Sequence, residues 1–213
     1  MAKNLVSLPL EGITLKGNLV VPPKARGIVV FSHGGGSGRF SPRNNFVAGT
    51  LNRIETATLL LDLLTEEEDL IYENRFNINL LTQRLMSAVD WVQREPALAN
   101  LAIGFFGAST GAASALRAAA TLGSEEIAAV VSRGGRADLA WKVLDQVLSP
   151  TLLIVGGEDV GVVELNQEAY EKIPAKKKLA IIPGATHLFE EPGALEEVSR
   201  LAREWFEKYL TQT

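Results

Sequence analysis

Apolar and polar positions alternate through Leu5, Ser7 and Leu8, and again through Ile13, Leu15, Asn18 and Val20, with Glu11-Gly12 between the two stretches. Two alternating runs joined by a short Gly-containing turn predict an antiparallel hairpin. The period then changes. The segments 27–32 (GIVVFS), 56–61, 101–106, 127–131, 151–155 and 179–182 are solid apolar runs of strand length. Continuous apolarity means that both faces of a strand are covered, as in a parallel sheet held between helices. Apolar spacings of three and four fill the gaps at 44–54, 75–93, 110–122, 139–147, 162–172 and 194–210, as in Leu80, Leu81, Leu85, Val89 and Val92. A hairpin followed by alternating strands and helices predicts an α/β fold. Its sheet is mainly parallel with an N-terminal antiparallel hairpin, its crossovers are right-handed, and helices lie on both faces. The acidic run Glu66, Glu67, Glu68, Asp69 reads as a solvated loop.

A length of 213 residues fits one domain, 1–213, with a core of ordinary size. Hydrophobic residues at 46% and charged residues at 22% exclude a disordered chain, a coiled coil and a collagen-like repeat. The net charge of −4 and the lack of a Lys/Arg-rich run argue against a nucleic-acid partner. The chain has no cysteine, which removes disulfides, thiolate metal sites and a cysteine nucleophile together. MAKNLVSLPLEG lacks the apolar core of a signal peptide, so the expected location is cytoplasmic. No run approaches the roughly 18 apolar residues of a membrane span.

The sharpest chemistry lies in Gly107-Ala108-Ser109-Thr110-Gly111, placed between an apolar strand and an Ala-rich helix. A serine on such a turn is presented to substrate with a strained backbone, and side chains at 107 and 111 would strike the neighbouring strand and helix. The turn also sets Ser109 at a helix N-terminus, where free amides can stabilise developing negative charge. Small residues at these positions would equally serve close packing of helix on sheet.

A serine hydroxyl needs a base, and the chain offers only His33 and His187. His187 follows the last apolar run, in a loop at the carboxyl end of a strand, where open α/β sheets build their sites. His33 opens the glycine-rich His33-Gly34-Gly35-Gly36 and suits a loop-bracing hydrogen bond, while the glycines can turn amides toward an oxyanion. The orienting carboxylate should leave a strand between the serine and the histidine. Asp159 fits, with adjacent Glu158 as a rival and Asp138 as a weaker one.

Four motifs in this order, HGGG at 33–36, GASTG at 107–111, GGED at 156–159 and GATHLF at 184–189, resemble the α/β-hydrolase superfamily and, within it, the dienelactone hydrolase-like proteins. The resemblance covers nearly the whole chain. It implies an α/β-hydrolase fold, a Ser109, Asp159 and His187 triad, and an oxyanion hole made by the amides of Gly35 and Thr110. Dienelactone hydrolases proper carry a cysteine nucleophile where this chain has Ser109. That departure favours a serine esterase acting on a small ester or lactone without a metal or cofactor. The short stretch from Ser132 to Pro150 leaves no room for a large lid.

Other readings fail on residue identity. The GxGxxG spacing begun at Gly34 and Gly36 ends on Arg39, and Gly38 is followed by Arg39-Phe40 rather than Lys-Ser/Thr. The two histidines, His33 and His187, stand 154 positions apart, which gives no metal-ligand spacing. A non-catalytic hydrolase fold kept for binding is the alternative of a different class. Arg39, Arg43, Arg133 and Arg136 all follow strand ends, where they could hold a substrate carboxylate, or they could simply face water.

Overall fold

The computed structural model describes residues 3–210. Strands β1 (Asn4–Leu10) and β2 (Ile13–Val20) form the expected hairpin, Leu10 pairing with Ile13 across the Glu11-Gly12 turn. The chain continues through β3 (Gly27–Ser32), α1 (Pro42–Arg53), β4 (Ala57–Leu61) and α2 (Glu66–Asp69), then a 3₁₀ segment (Tyr72–Phe76) and α3 (Ile78–Arg94). After these come β5 (Ala102–Ala108), α4 (Thr110–Leu122), β6 (Ile127–Arg133) and a second 3₁₀ segment (Ala137–Gln146). The last elements are β7 (Thr151–Gly156), α5 (Val160–Lys172), β8 (Lys177–Ile182) and α6 (Ala194–Tyr209).

The eight strands form one sheet in the order β1-β2-β4-β3-β5-β6-β7-β8. The β1–β2 and β2–β4 pairs are antiparallel and every later pair is parallel. β3, β4 and β7 are buried along their whole length, which is why their sequences do not alternate. One face of the sheet packs against α3, α4 and the second 3₁₀ segment through Leu81, Leu85, Val89, Leu116 and Leu144. The other face packs against α1 and α6 through Val47, Leu51, Val198, Ala202 and Phe206. This is the α/β-hydrolase fold. Because β3, β5, β6, β7 and β8 run parallel, their carboxyl ends converge on one edge of the sheet.

Four expectations need correction. The acidic run 66–69 is not a loop but a single helical turn. Thr65 Oγ1 accepts the Glu68 amide at 3.1 Å and Glu68 accepts the Thr65 amide at 2.9 Å, a reciprocal cap that outweighs the repulsion among four carboxylates. Glu68 also pairs with Arg84 at 2.7 Å. The helix expected at 75–93 starts at Ile78, because the Asn77 side chain caps it by accepting the Leu80 amide at 3.1 Å. The stretch expected as a helix at 139–147 is a 3₁₀ segment over Ala137–Gln146. The last strand runs over Lys177–Ile182 and is half-exposed, since β8 is the sheet edge and only one neighbour covers it.

Among the described residues no helix is long and apolar enough to cross a membrane.

Candidate active site

Ser109 sits between the last residue of β5 and the first of α4, with φ 52° and ψ −122°. A left-handed φ at a residue with a side chain costs about 1–3 kcal/mol and persists only where the surroundings enforce it. They do so here through close packing. A Cβ on Gly111 would lie 2.2 Å from the Ser32 carbonyl oxygen, and one on Gly107 would lie 2.4 Å from Ala112 Cα. The two glycines therefore let α4 press against β3 and β5, as the motif predicts. The Ser109 amide donates to the Arg133 carbonyl at 3.1 Å, and its carbonyl accepts the Arg136 amide at 3.1 Å. The serine is thus pinned to the end of β6 on both sides of its α-carbon.

His187 lies in the loop between β8 and α6, and its Nε2 is 3.3 Å from Ser109 Oγ. Its Nδ1 is 2.6 Å from Oδ2 of Asp159, which leaves the end of β7. The three residues expected from the sequence are therefore brought together by three strand-end loops. Asp159, not Glu158, faces the imidazole: Glu158 is exposed while its amide donates to the Ala185 carbonyl at 3.0 Å. Asp138 is engaged elsewhere, accepting from Arg136 Nε and Nη2 at 2.8 and 2.7 Å, and the guanidinium holds its carboxyl below the ordinary value.

His33 has the bracing role read from the sequence. Its Nδ1 is 2.9 Å from the Gly34 carbonyl and its Nε2 accepts the Leu63 amide at 3.1 Å, which fixes the neutral tautomer with the proton on Nδ1. Burial lowers its pKa from the ordinary 6.5. This imidazole ties the glycine loop to the segment that follows β4.

Gly34 faces Ser109 directly, since a Cβ there would lie 3.1 Å from Ser109 Cβ. The next amide, that of Gly35, donates to Thr110 Oγ1 at 3.0 Å. The Thr110 amide is the first of α4 and has no partner within the helix.

The four arginines are unequal. Arg39 binds Asp62 through its guanidinium and, at 2.7 Å, through its amide, and Arg136 binds Asp138. Arg43 reaches exposed Glu190 at 3.2 Å. Arg133 is different: it is 7% exposed, its Cζ lies 5.7 Å from the centre of the Phe189 ring, and among the described residues it has no carboxylate partner. Desolvation, with the like charge of Arg43 added, brings its pKa down to about 10. Of the expected four-arginine cluster, Arg39, Arg43 and Arg136 each have a carboxylate partner in Asp62, Glu190 and Asp138, which leaves Arg133.

One wall of the site escaped the sequence reading. The ring of Phe76 comes within 3.3 Å of where a Gly35 Cβ would stand, and it pairs with Tyr72 at 5.1 Å between centroids. Leu70, Ile71, Tyr72 and Phe76 are all exposed on a segment fixed by the Asp69–Arg75 pair at 2.9 Å. Apolar residues set within an otherwise acidic stretch are the signal that could have marked it. A separate hollow of about 570 Å³ lies between the hairpin and the 65–68 turn, and none of Ser109, Asp159 and His187 lines it.

No protein-family model matches the chain. Two Mycobacterium tuberculosis proteins named as phosphoribosyl transferases are 54% identical over 198 residues, which is 93% of this chain and 44% of theirs. This chain therefore spans less than half the length of those curated relatives. Among solved structures, Est1E from Butyrivibrio proteoclasticus superposes with a TM-score of 0.82 at 20% identity, over 96% of this chain and 98% of that one. A dienelactone hydrolase from Anabaena variabilis is 52% identical, with a TM-score of 0.95 and 98% of each chain covered. Identity of that order over 98% of both chains, on the same fold, makes this chain a member of the dienelactone hydrolase-like branch of the α/β-hydrolases, and so of a family of hydrolases.

Proposed function

We propose that this chain cleaves a carboxylic ester or lactone of a small substrate, with Ser109 as nucleophile, His187 as general base and Asp159 as the orienting carboxylate. The observation that carries this reading is the continuous contact from Asp159 Oδ2 to His187 Nδ1 at 2.6 Å and from His187 Nε2 to Ser109 Oγ at 3.3 Å. Asp159 accepts a hydrogen bond from Nδ1–H, which holds the proton on Nδ1 and leaves the Nε2 lone pair aimed at the serine. The longer second contact is of the kind that tightens when substrate is bound.

Ser109 Oγ attacks the carbonyl carbon while its proton passes to His187 Nε2, and the carbonyl π pair moves onto oxygen. The Thr110 amide at the start of α4 stabilises that charge. Collapse breaks the bond to the alkoxide, which takes the proton back from the imidazolium. In a lactone the alcohol remains tethered to the acyl group. Water then repeats the sequence on the acyl-enzyme. No step calls for a metal or cofactor.

Arg133 favours a substrate with an anionic group. A buried guanidinium without a carboxylate is costly, and a carboxylate or phosphate oxygen seated against it, with Arg43 beside it, would supply the missing counter-charge. The transferase name belongs to longer mycobacterial proteins and is not carried to this chain. The reading is tested by Ser109→Ala, which should lower kcat by about 10⁶ without altering the fold. A pure variant that keeps more than a tenth of the activity would overturn it.

A further inference from the structure

An oxyanion hole needs hydrogens aimed at the developing charge, and the Gly35 amide has only one. That hydrogen is directed at Thr110 Oγ1, 3.0 Å from the nitrogen. Thr110 is 4% exposed, so water does not readily compete for its hydroxyl. A hydroxyl that accepts one hydrogen bond still has its own hydrogen to give, and among the described residues the Thr110 hydroxyl has no other partner. Its position beside Ser109 is set by the helix start that makes Thr110 the next residue, and by the glycine loop, where a Cβ on Gly34 would lie 3.1 Å from Ser109 Cβ.

We propose that the Thr110 hydroxyl is itself an oxyanion donor, with the Gly35 amide acting through it rather than on the substrate. The proposal rests on the serine-hydrolase reading and names one more catalytic group within it. As the carbonyl π pair moves onto oxygen, the Thr110 amide and the Thr110 hydroxyl both donate to it. No further bond forms or breaks. The bond from Gly35 to Oγ1 polarises the hydroxyl and makes it a stronger donor, since linked hydrogen bonds reinforce one another. One residue then supplies two donors from the first turn of α4, and Gly35 is a positioning residue.

The test compares Thr110→Val, which keeps the shape and removes the hydroxyl, with Thr110→Ser, which keeps the hydroxyl. On p-nitrophenyl acetate Thr110→Val should lose about 10² to 10³ in kcat, the cost of removing one oxyanion donor, with little change in KM. Thr110→Ser should keep most of the rate. Inhibition by a trifluoromethyl ketone, which binds as a tetrahedral oxyanion, should weaken in Thr110→Val in the same proportion as kcat and hold in Thr110→Ser. A Thr110→Val enzyme at or above the wild-type rate would overturn the proposal, since the freed Gly35 amide would then be the true donor. Equal damage from Ser and Val would overturn it as well, by assigning the loss to packing. Should Thr110→Val not fold, Thr110→Ala carries the same contrast, and full activity there is equally fatal. The parent reading fails separately, if Ser109→Ala stays active whatever the Thr110 variants do.

Discussion

The Arg133 carbonyl accepts the Ser109 amide at 3.1 Å, so the residue whose buried guanidinium has no carboxylate partner among the described residues also fixes the backbone of the candidate nucleophile. Backbone and side chain of Arg133 can therefore be separated by substitution. The carbonyl serves Ser109 whatever side chain is present, whereas the guanidinium serves only an anion.

Arg133→Met should leave turnover of neutral esters intact and lower kcat/KM for a carboxylated isostere about ten-fold or more, the worth of one charge-assisted hydrogen bond. Thermal stability should hold or rise, because replacing a buried charge that lacks a counter-ion by an apolar side chain removes a desolvation cost. Equal loss on charged and neutral esters would contradict the assignment of that side chain to an anion.

Gly111→Ala should be among the most damaging small substitutions in the chain. The added Cβ would meet the Ser32 and His33 carbonyl oxygens at 2.2 and 2.5 Å, and both are backbone atoms in or beside a buried strand. A loss of at least about 2 kcal/mol in urea unfolding is expected from such overpacking, together with a fall in esterase activity. Wild-type stability would mean that α4 can retreat from the sheet at no cost.

His33 gives the fold a defined response to acid. Its neutral imidazole is the bound form, and burial lowers its folded pKa below 6.5. The unfolded chain therefore takes up the proton first, so the contribution of His33 is complete above about pH 6.5 and declines as pH falls toward the folded value. The urea midpoint of the wild type should drop between pH 7.5 and pH 5.5 by more than that of His33→Gln. Parallel pH profiles would remove His33 as the cause.

Asp159→Asn should cost about 10⁴ in kcat, the scale known for misorienting the base, while Glu158→Gln should leave the rate unchanged. Steady-state kinetics on one p-nitrophenyl ester decides it. Greater damage from the Glu158 change would shift the carboxylate by one residue.

The parts of the molecule that local sequence could reveal are those governed by local physics. The run GIVVFS is buried at every position because both faces of β3 are covered, and its limits are those of the strand. α4 begins at Thr110 and ends at Leu122, where the elbow and Gly123 delimit it. The choice between Glu158 and Asp159 was not legible, because neighbours on a turn point in different directions and only the fold says which faces His187. Nor was the fate of the arginines: Arg39 meets Asp62 from across a β-α-β unit, and Arg43 meets Glu190 from almost the far end of the chain. Asp138 stands two residues from Arg136 and could have been foreseen as its partner. The Thr110 hydroxyl was hidden because its partner, the Gly35 amide, is 75 positions away.

The central claim is that Ser109 is an activated nucleophile, and covalent labelling reaches it most directly. Incubation with a fluorophosphonate, followed by intact-mass measurement and peptide mapping, should add one phosphonyl group per chain, located on Ser109 and abolished in Ser109→Ala and His187→Ala. An unlabelled wild-type protein, or a label carried by another residue, would contradict the account.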